Sequence, residues 1–257
     1  MIRVFLTCFF LFVGTILLPA LEKDTLSFPV SLNTNIMQVV GKKSYSGFVI
    51  PAVCITYGVL AHNQTGLRRL DRSIHREVSK HFTGRIHADD YIQYVPAVAA
   101  YGLDWLGVKA KHNLKDRTFL MASSYLFSTV SVQTVKRATH IRRPDGANTL
   151  SFPSGHTATS FVGAHLLYKE YKDVSSWVCV AGYLCAGATG TIRMLNRKHW
   201  LSDVVAGAGV GILSVEVSYL LLPVFQQLTG VKESQTNVAI APVFGYRHIG
   251  VGLACSF

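Results

Sequence analysis

VVAGAGVGILSVEVSYLLLPVF, residues 204–225, is an apolar run interrupted by one charge, Glu216. It matches the length of about 20 residues that a helix needs to cross a bilayer. Gly207, Gly209 and Gly211 within it suit close helix packing better than ligand contact. Similar runs recur at residues 47–61, 91–108, 118–135, 157–168 and 174–192. All are helical in length and pattern, so the expected fold is all-α: a membrane-embedded bundle of about six core helices. Several runs are near or below spanning length, and Asp104, His165 and Glu216 interrupt three of them, so crossing is expected of some runs and open for the rest.

Composition agrees with that reading. Of 257 residues, 49% are hydrophobic and 15% charged, against about 25% charged in an average soluble domain. The formal charge of +11 calls for an anionic partner: nucleic acid, an acidic membrane surface or a phosphorylated substrate. The five cysteines form no CxxC pair and no metal-like cluster, and read as small buried hydrophobes rather than a disulfide framework.

Residues 1–20, with Arg3 ahead of an apolar run, read as a signal peptide or an N-terminal anchor. Residues 21–90 form an N-terminal segment. Within it, residues 67–82 set Arg68, Arg69, Arg72, Arg76 and Lys80 against Leu70, Ile74, Val78 and Phe82. That pattern is a basic amphipathic helix, suited to a membrane surface or to packing one stripe on a core. Residues 91–225 hold the catalytic candidates. In the tail, 226–257, weak alternation around Val238 and Ile240 suggests a short β-hairpin. Asp89 and Asp90 read as caps for a helix starting near Tyr91.

Three segments gather cationic and catalytic side chains where apolar runs end. On a helix, Lys136 and Arg143 would share a face, with Pro144 ending the helix and leaving both charges at its mouth. In isolation this also reads as flanking charge at a membrane helix end. Pro153-Ser154-Gly155-His156 opens the next helix, so the amides of Ser154, Gly155 and His156 would be free donors for an oxyanion. His156 would stand ready to protonate a leaving oxygen; the plainer reading is a turn with a helix cap. His199 and Asp203, four residues apart, would let the carboxylate orient one imidazole nitrogen and free the other for attack. Arg193 supplies a third cation.

Together the segments resemble the signature of the type 2 phosphatidic acid phosphatase and vanadium haloperoxidase superfamily: Lys136, six residues, Arg143-Pro144; then Pro153-Ser154-Gly155-His156; then Arg193, five residues, His199, three residues, Asp203. The resemblance covers about residues 91–225. It departs at Ile192, where the pattern has a serine, which removes a hydroxyl contact and no catalytic group. The resemblance implies that Lys136, Arg143 and Arg193, with Ser154 and the Gly155 amide, bind the phosphoryl oxygens. It further implies that His199 attacks phosphorus to give a phosphohistidine, Asp203 orients it and His156 protonates the leaving group. No metal or cofactor is expected, because three fixed cations offset the charge of a loose phosphoryl-transfer transition state.

The expected function is therefore hydrolysis of a phosphate monoester or pyrophosphate of an envelope lipid, with lipid A first among substrates. Undecaprenyl diphosphate, phosphatidic acid and phosphatidylglycerol phosphate are the alternatives, followed by a soluble periplasmic acid phosphatase. A vanadium haloperoxidase is more remote, since the short chain and its apolar runs argue against it. The expected partners are a phosphorylated lipid and the membrane, with no nucleic acid and no obligate protein partner. The expected location is the bacterial inner membrane with the site facing the periplasm, residues 1–20 being a retained span and 47–61 only dipping into the bilayer. That arrangement leaves Lys109, Lys111, Lys115, Arg117, Lys169 and Lys172 inside. The alternative is a soluble or peripheral periplasmic bundle.

Overall fold

The structure, a computed structural model, describes residues 45–82, 84–229, 237–245 and 248–256, with the last two stretches and residue 45 described by backbone alone. Residues 1–20, expected to be a signal or anchor, lie outside the described residues. A 3-10 turn, Tyr45–Phe48, leads into α1 (Val49–Asn63) and the basic helix α2 (Thr65–His81). A four-residue α3 (Asp89–Ile92) precedes α4 (Val95–Trp105), α5 (Leu114–Thr139), α6 (Gly155–Tyr171), α7 (Ser176–Leu195) and α8 (Leu201–Leu228). The body is all-helical, as expected. Beyond it, β1 (Asn237–Gly245) and β2 (His248–Ser256) run antiparallel with Asn237 opposite Ser256.

Local chemistry sets several boundaries. Asn113 caps α5 by accepting the Asp116 amide at 2.8 Å, satisfying one orphan donor of the first turn. The same helix stops at His140, which takes a left-handed conformation (φ 49°). Arg143 is therefore off the helix that carries Lys136, contrary to the shared-face expectation. A left-handed residue ends the 3.6-residue period, and the position before a proline disfavours helix in any case.

Central in the bundle, α6 packs on α4, α5, α7 and α8 and buries Leu166, Leu167 and Tyr171 in a core with Leu120, Val215 and Leu222. The glycines of α8 permit the closest approaches. A Cβ at Gly207 or Gly211 would meet the Ser154 or Ala158 carbonyl of α6 at 2.5 Å, and one at Gly209 the Pro51 carbonyl of α1 at 2.8 Å. Helices this near gain dispersion contacts that a side chain would prevent.

The ionisable residues that interrupt the apolar runs are paired. Glu216 meets His165 at 2.8 Å and Lys169 at 3.0 Å. Arg117 bonds Asp104 and the Tyr171 hydroxyl, and buried Glu170 bonds His112 at 2.7 Å. Partnering of this kind is what makes such groups tolerable inside a bundle.

Among the described residues, three helical stretches are long and apolar enough to cross a membrane: Ser46–Asn63, Ser176–Leu195 and Leu201–Leu228. Trp105 and Trp177 are 91% and 83% exposed at one end of the bundle, and Tyr91 and Tyr94 are exposed at the other. Aromatic residues at both ends of an apolar body suit the two membrane interfaces. The first of these stretches, α1 with most of the 3-10 turn before it, is thus long enough to cross rather than only dip, and α1 packs extensively along α8.

Candidate active site

All three sequence segments meet at one end of the bundle, where α5 ends, α6 begins, α7 ends and α8 begins. The chain between α5 and α6 is tied down from several sides. Lys136 Nζ donates to the Leu150 carbonyl at 2.7 Å and reaches the Ser151 carbonyl at 3.4 Å. The Trp200 indole donates to the Arg142 carbonyl at 3.0 Å, and Lys198 pairs with Asp145 at 2.7 Å. These bonds fix residues 140–154 against the α7–α8 connection.

Ser154 is the N-cap of α6 and fully buried. Its amide donates to the Asp203 carbonyl at 3.0 Å, so it is not the free oxyanion donor that the sequence suggested. Its hydroxyl accepts from Thr157 at 2.9 Å. The amides of Gly155 and His156, in the first helical turn, have no intrahelical carbonyl to reach and remain the donors at that positive dipole end.

His199 and Asp203 are adjacent, but not as two positions on one helical face. His199 precedes the helix, Trp200 is its N-cap and Asp203 is the third helical residue. Asp203 accepts the Trp200 amide at 2.9 Å and the Ser151 hydroxyl on Oδ2. His199 Nδ1 stands 3.5 Å from the same oxygen without closing a hydrogen bond. Catalytic hydrogen bonds often tighten only once substrate is bound. On the other side α2 lies over the histidine: Ile74, His75 and Val78 face His199 and Trp200 across a gap of about 10 Å³.

Arg193, near the end of α7, is buried and donates to Asp89 Oδ2 at 2.6 Å. His156 Nε2 lies 2.9 Å from Asp90 Oδ1. The two aspartates are therefore partners of site residues rather than helix caps, since neither makes a capping bond from its side chain. Local spacing carried no sign of these pairings, which join residues 104 and 66 positions apart. Ile192 is half-buried and brings no hydroxyl to the site.

The electrostatics of the site are set by burial and by cations placed close together. Burial, helped by Arg143 and Arg193, pushes the Lys136 ammonium down to about 8. Burial and Arg193 likewise lower Arg143. Burial pushes His199 down to about 4, with Lys136 and Arg193 adding to the effect against the opposing pull of Asp203. His156 is lowered by burial and by Arg193, while Asp89 and Asp90 pull the other way. Lys136 and Arg143 thus feel neighbouring cations, and His199 is neutral near pH 7 with a lone pair to offer.

Arg143 Nε, Arg193 Nε and His199 Nδ1 are also buried without a hydrogen-bond partner, and they are three of the six such side-chain atoms among the described residues. Buried unpaired donors are costly and call for an explanation. Asp89, Asp90 and His156 place possible metal-ligand atoms within 4.8 Å of one another. Asp89 is already paired to Arg193 there, and a guanidinium so close opposes a second cation.

Comparison with known proteins bears on the same segment. Residues 113–226 match the PAP2 superfamily, a stretch that begins at the cap of α5, ends in α8 and contains all eight expected site residues. A lipid A 1-phosphatase of Porphyromonas gingivalis is 37% identical over 161 residues, covering 60% of this chain and 36% of that protein. The chain thus spans little over a third of that relative's length. Among solved structures, LpxE of Aquifex aeolicus aligns over 59% of this chain and 93% of its own, with 21% identity and a TM-score of 0.43. A transmembrane PAP2-type phosphatidylglycerolphosphate phosphatase of Bacillus subtilis aligns over 72% and 99%, with 16% identity and a TM-score of 0.46. The resemblance seen in the three motifs is therefore met by the family match and by this relative.

Proposed function

We infer that this chain is a metal-independent lipid phosphatase that works through a phosphohistidine at His199, with the phosphate of lipid A as its substrate. The observation that carries the reading is the pair of buried guanidinium Nε donors without partners on Arg143 and Arg193, gathered with Lys136 beside His199. A phosphoryl group would satisfy them. Lys136, Arg143, Arg193, Ser154 and the Gly155 amide hold its oxygens. With Nδ1 turned toward Asp203, Nε2 of His199 attacks phosphorus as the bond to the leaving oxygen breaks, and His156 gives that oxygen a proton. Water then attacks the phosphohistidine, with His156 now accepting the proton, and phosphate leaves. Both half-reactions rely on positioning and fixed charge, which is what loose phosphoryl-transfer transition states need.

Lipid A is favoured by the relative whose name gives its 1-phosphate as the substrate. An apolar groove of about 430 Å³ between α4 and α5, lined by Tyr94, Val98, Tyr101, Met121 and Tyr125, would take part of an acyl chain. The test is phosphate release by the purified chain in detergent with EDTA, offered lipid A, undecaprenyl diphosphate and phosphatidic acid. Turnover of lipid A at least tenfold faster than of the others supports the substrate assignment; equal or lower turnover sinks it.

The orientation proposed is a site facing the periplasm. His62, at the end of α1, lies at the site end, so a crossing α1 would start on the cytoplasmic face at residue 45. Basic side chains do not decide the matter, because α2 adds five of them at the site end to balance those at the other. A cysteine replacing Arg137, labelled by a membrane-impermeant maleimide only after cell lysis, would refute this orientation.

A further inference from the structure

Asp203 has a partner that comes from outside the segment matching the family. His62, in the last turn of α1, places Nε2 3.1 Å from Asp203 Oδ1 and 3.2 Å from Ser202 Oγ. The Ser202 hydroxyl donates to Asp71 Oδ2 at 2.6 Å, and the Ser202 amide donates to Asp71 Oδ1 at 3.1 Å. With its proton committed to Asp71, Ser202 Oγ presents lone pairs to His62, as does the Asp203 carboxylate. Two acceptors facing one nitrogen require that nitrogen to carry the proton, so His62 Nε2–H is a donor.

The two oxygens of Asp203 are held differently. Oδ2 takes the Ser151 hydroxyl and the Trp200 amide and faces His199. Oδ1 has His62 as its one hydrogen-bond partner among the described residues. The placement of His62 is itself built in. Gly58, one turn earlier on the same face, lets α1 approach so closely that a Cβ there would lie 2.6 Å from Ala206 Cβ and 2.9 Å from the Ser202 carbonyl. The buried Phe152 ring then packs edge-on against the imidazole, with centroids 4.9 Å apart.

We propose that His62 is a positioning residue for phosphoryl transfer, locking the Asp203 carboxylate in the plane from which Oδ2 meets Nδ1 of His199. This rests on the reading of His199 as nucleophile. Partners that orient a catalytic group from behind cost about 10–100-fold in activity when removed. Because His62 touches no substrate, the loss falls on kcat and leaves KM within about twofold.

The test uses the full chain in detergent, turning over lipid A and short-chain phosphatidic acid, with His62→Leu, His62→Gln, Asp203→Asn and the His62→Leu/Asp203→Asn pair compared at matched folding. His62→Leu should lower kcat about 10–100-fold. His62→Gln, which keeps an N–H within reach of Oδ1, should recover most of it. In the Asp203→Asn background His62→Leu should cost nothing more, because residues that act through one another are non-additive. Wild-type kcat in His62→Leu, independent multiplication of the two losses, or a glutamine variant as poor as leucine at equal Tm would each overturn the proposal. Turnover retained by His199→Ala would instead sink the nucleophile reading; an inactive His199→Ala beside a fully active His62→Leu removes the positioning role alone.

Discussion

Replacing Gly207 with alanine should damage catalysis from a position that touches no substrate. The added methyl would lie 2.5 Å from the Ser154 carbonyl oxygen and 3.3 Å from Thr157 Cβ, and a Cβ essentially never sits under 3.0 Å from backbone. The first turn of α6 must therefore retreat from α8 by at least about half an ångström. Ser154 cannot follow freely, since its amide is bonded to the Asp203 carbonyl at 3.0 Å. The retreat carries Gly155 and His156 away from His199. Overpacking of this kind costs about 1–3 kcal/mol of stability, and a misplacement near 1 Å costs about 100-fold in rate, so kcat should fall about 10–100-fold with a lower Tm. Gly211→Ala is the matched control. Its Cβ also meets an α6 carbonyl at 2.5 Å, that of Ala158, but a turn further from the chemistry, so it should lower Tm similarly and kcat much less. Initial rates on lipid A with thermal unfolding of the three proteins measure both. If Gly207→Ala keeps kcat within twofold of wild type, or Gly211→Ala loses as much, the coupling between helix approach and site geometry is wrong.

Asp89→Asn keeps the shape of the Arg193 partner and removes its charge, which should weaken a charge-assisted bond by about 1–2 kcal/mol and lower Tm. The same change removes an anion beside the phosphate site, so inorganic phosphate should inhibit about 5–30-fold more tightly; a rise in its inhibition constant would mean that Asp89 serves only to position Arg193. The pH profile follows from the signs of the shifts. His199 is held at about 4 and must be neutral, so kcat/KM should fall as pH drops through that value. Lys136 is held at about 8 and must be charged, and His156, lowered from its ordinary value, must be protonated, so the alkaline fall should be complete above about pH 8. A bound phosphate dianion favours the protonated form of every neighbour, so the alkaline limb of kcat should lie at higher pH than that of kcat/KM; coincident limbs would count against three cations closing on the phosphate.

Much of this molecule is legible one segment at a time. Apolar runs of helical length gave the all-α body, and the spacing of α8's glycines anticipated its close packing. Local spacing singled out three segments at helix ends, and their joint resemblance to a family signature implied the eight candidate residues. The same logic misplaced Arg143, since no period foretells a left-handed His140. It also offered the Ser154 amide to substrate when the Asp203 carbonyl takes it. Asp89, Asp90, Ser151 and His62 were out of reach for a different reason. Each meets its partner across 52 to 141 residues, and an ordinary-looking helix cap or helix-end histidine gives no local hint of such a meeting.

The proposed mechanism turns on a covalent bond between His199 and phosphorus. The direct measurement is to mix the purified chain with ³²P-labelled lipid A in EDTA, quench in alkali within a turnover, and map the label on the protein. An acid-labile, alkali-stable phosphohistidine is expected at His199, absent from His199→Ala and accumulating in His156→Ala when the leaving group needs no proton. Label on another residue, or rapid phosphate release with no labelled protein under any quench, would contradict it.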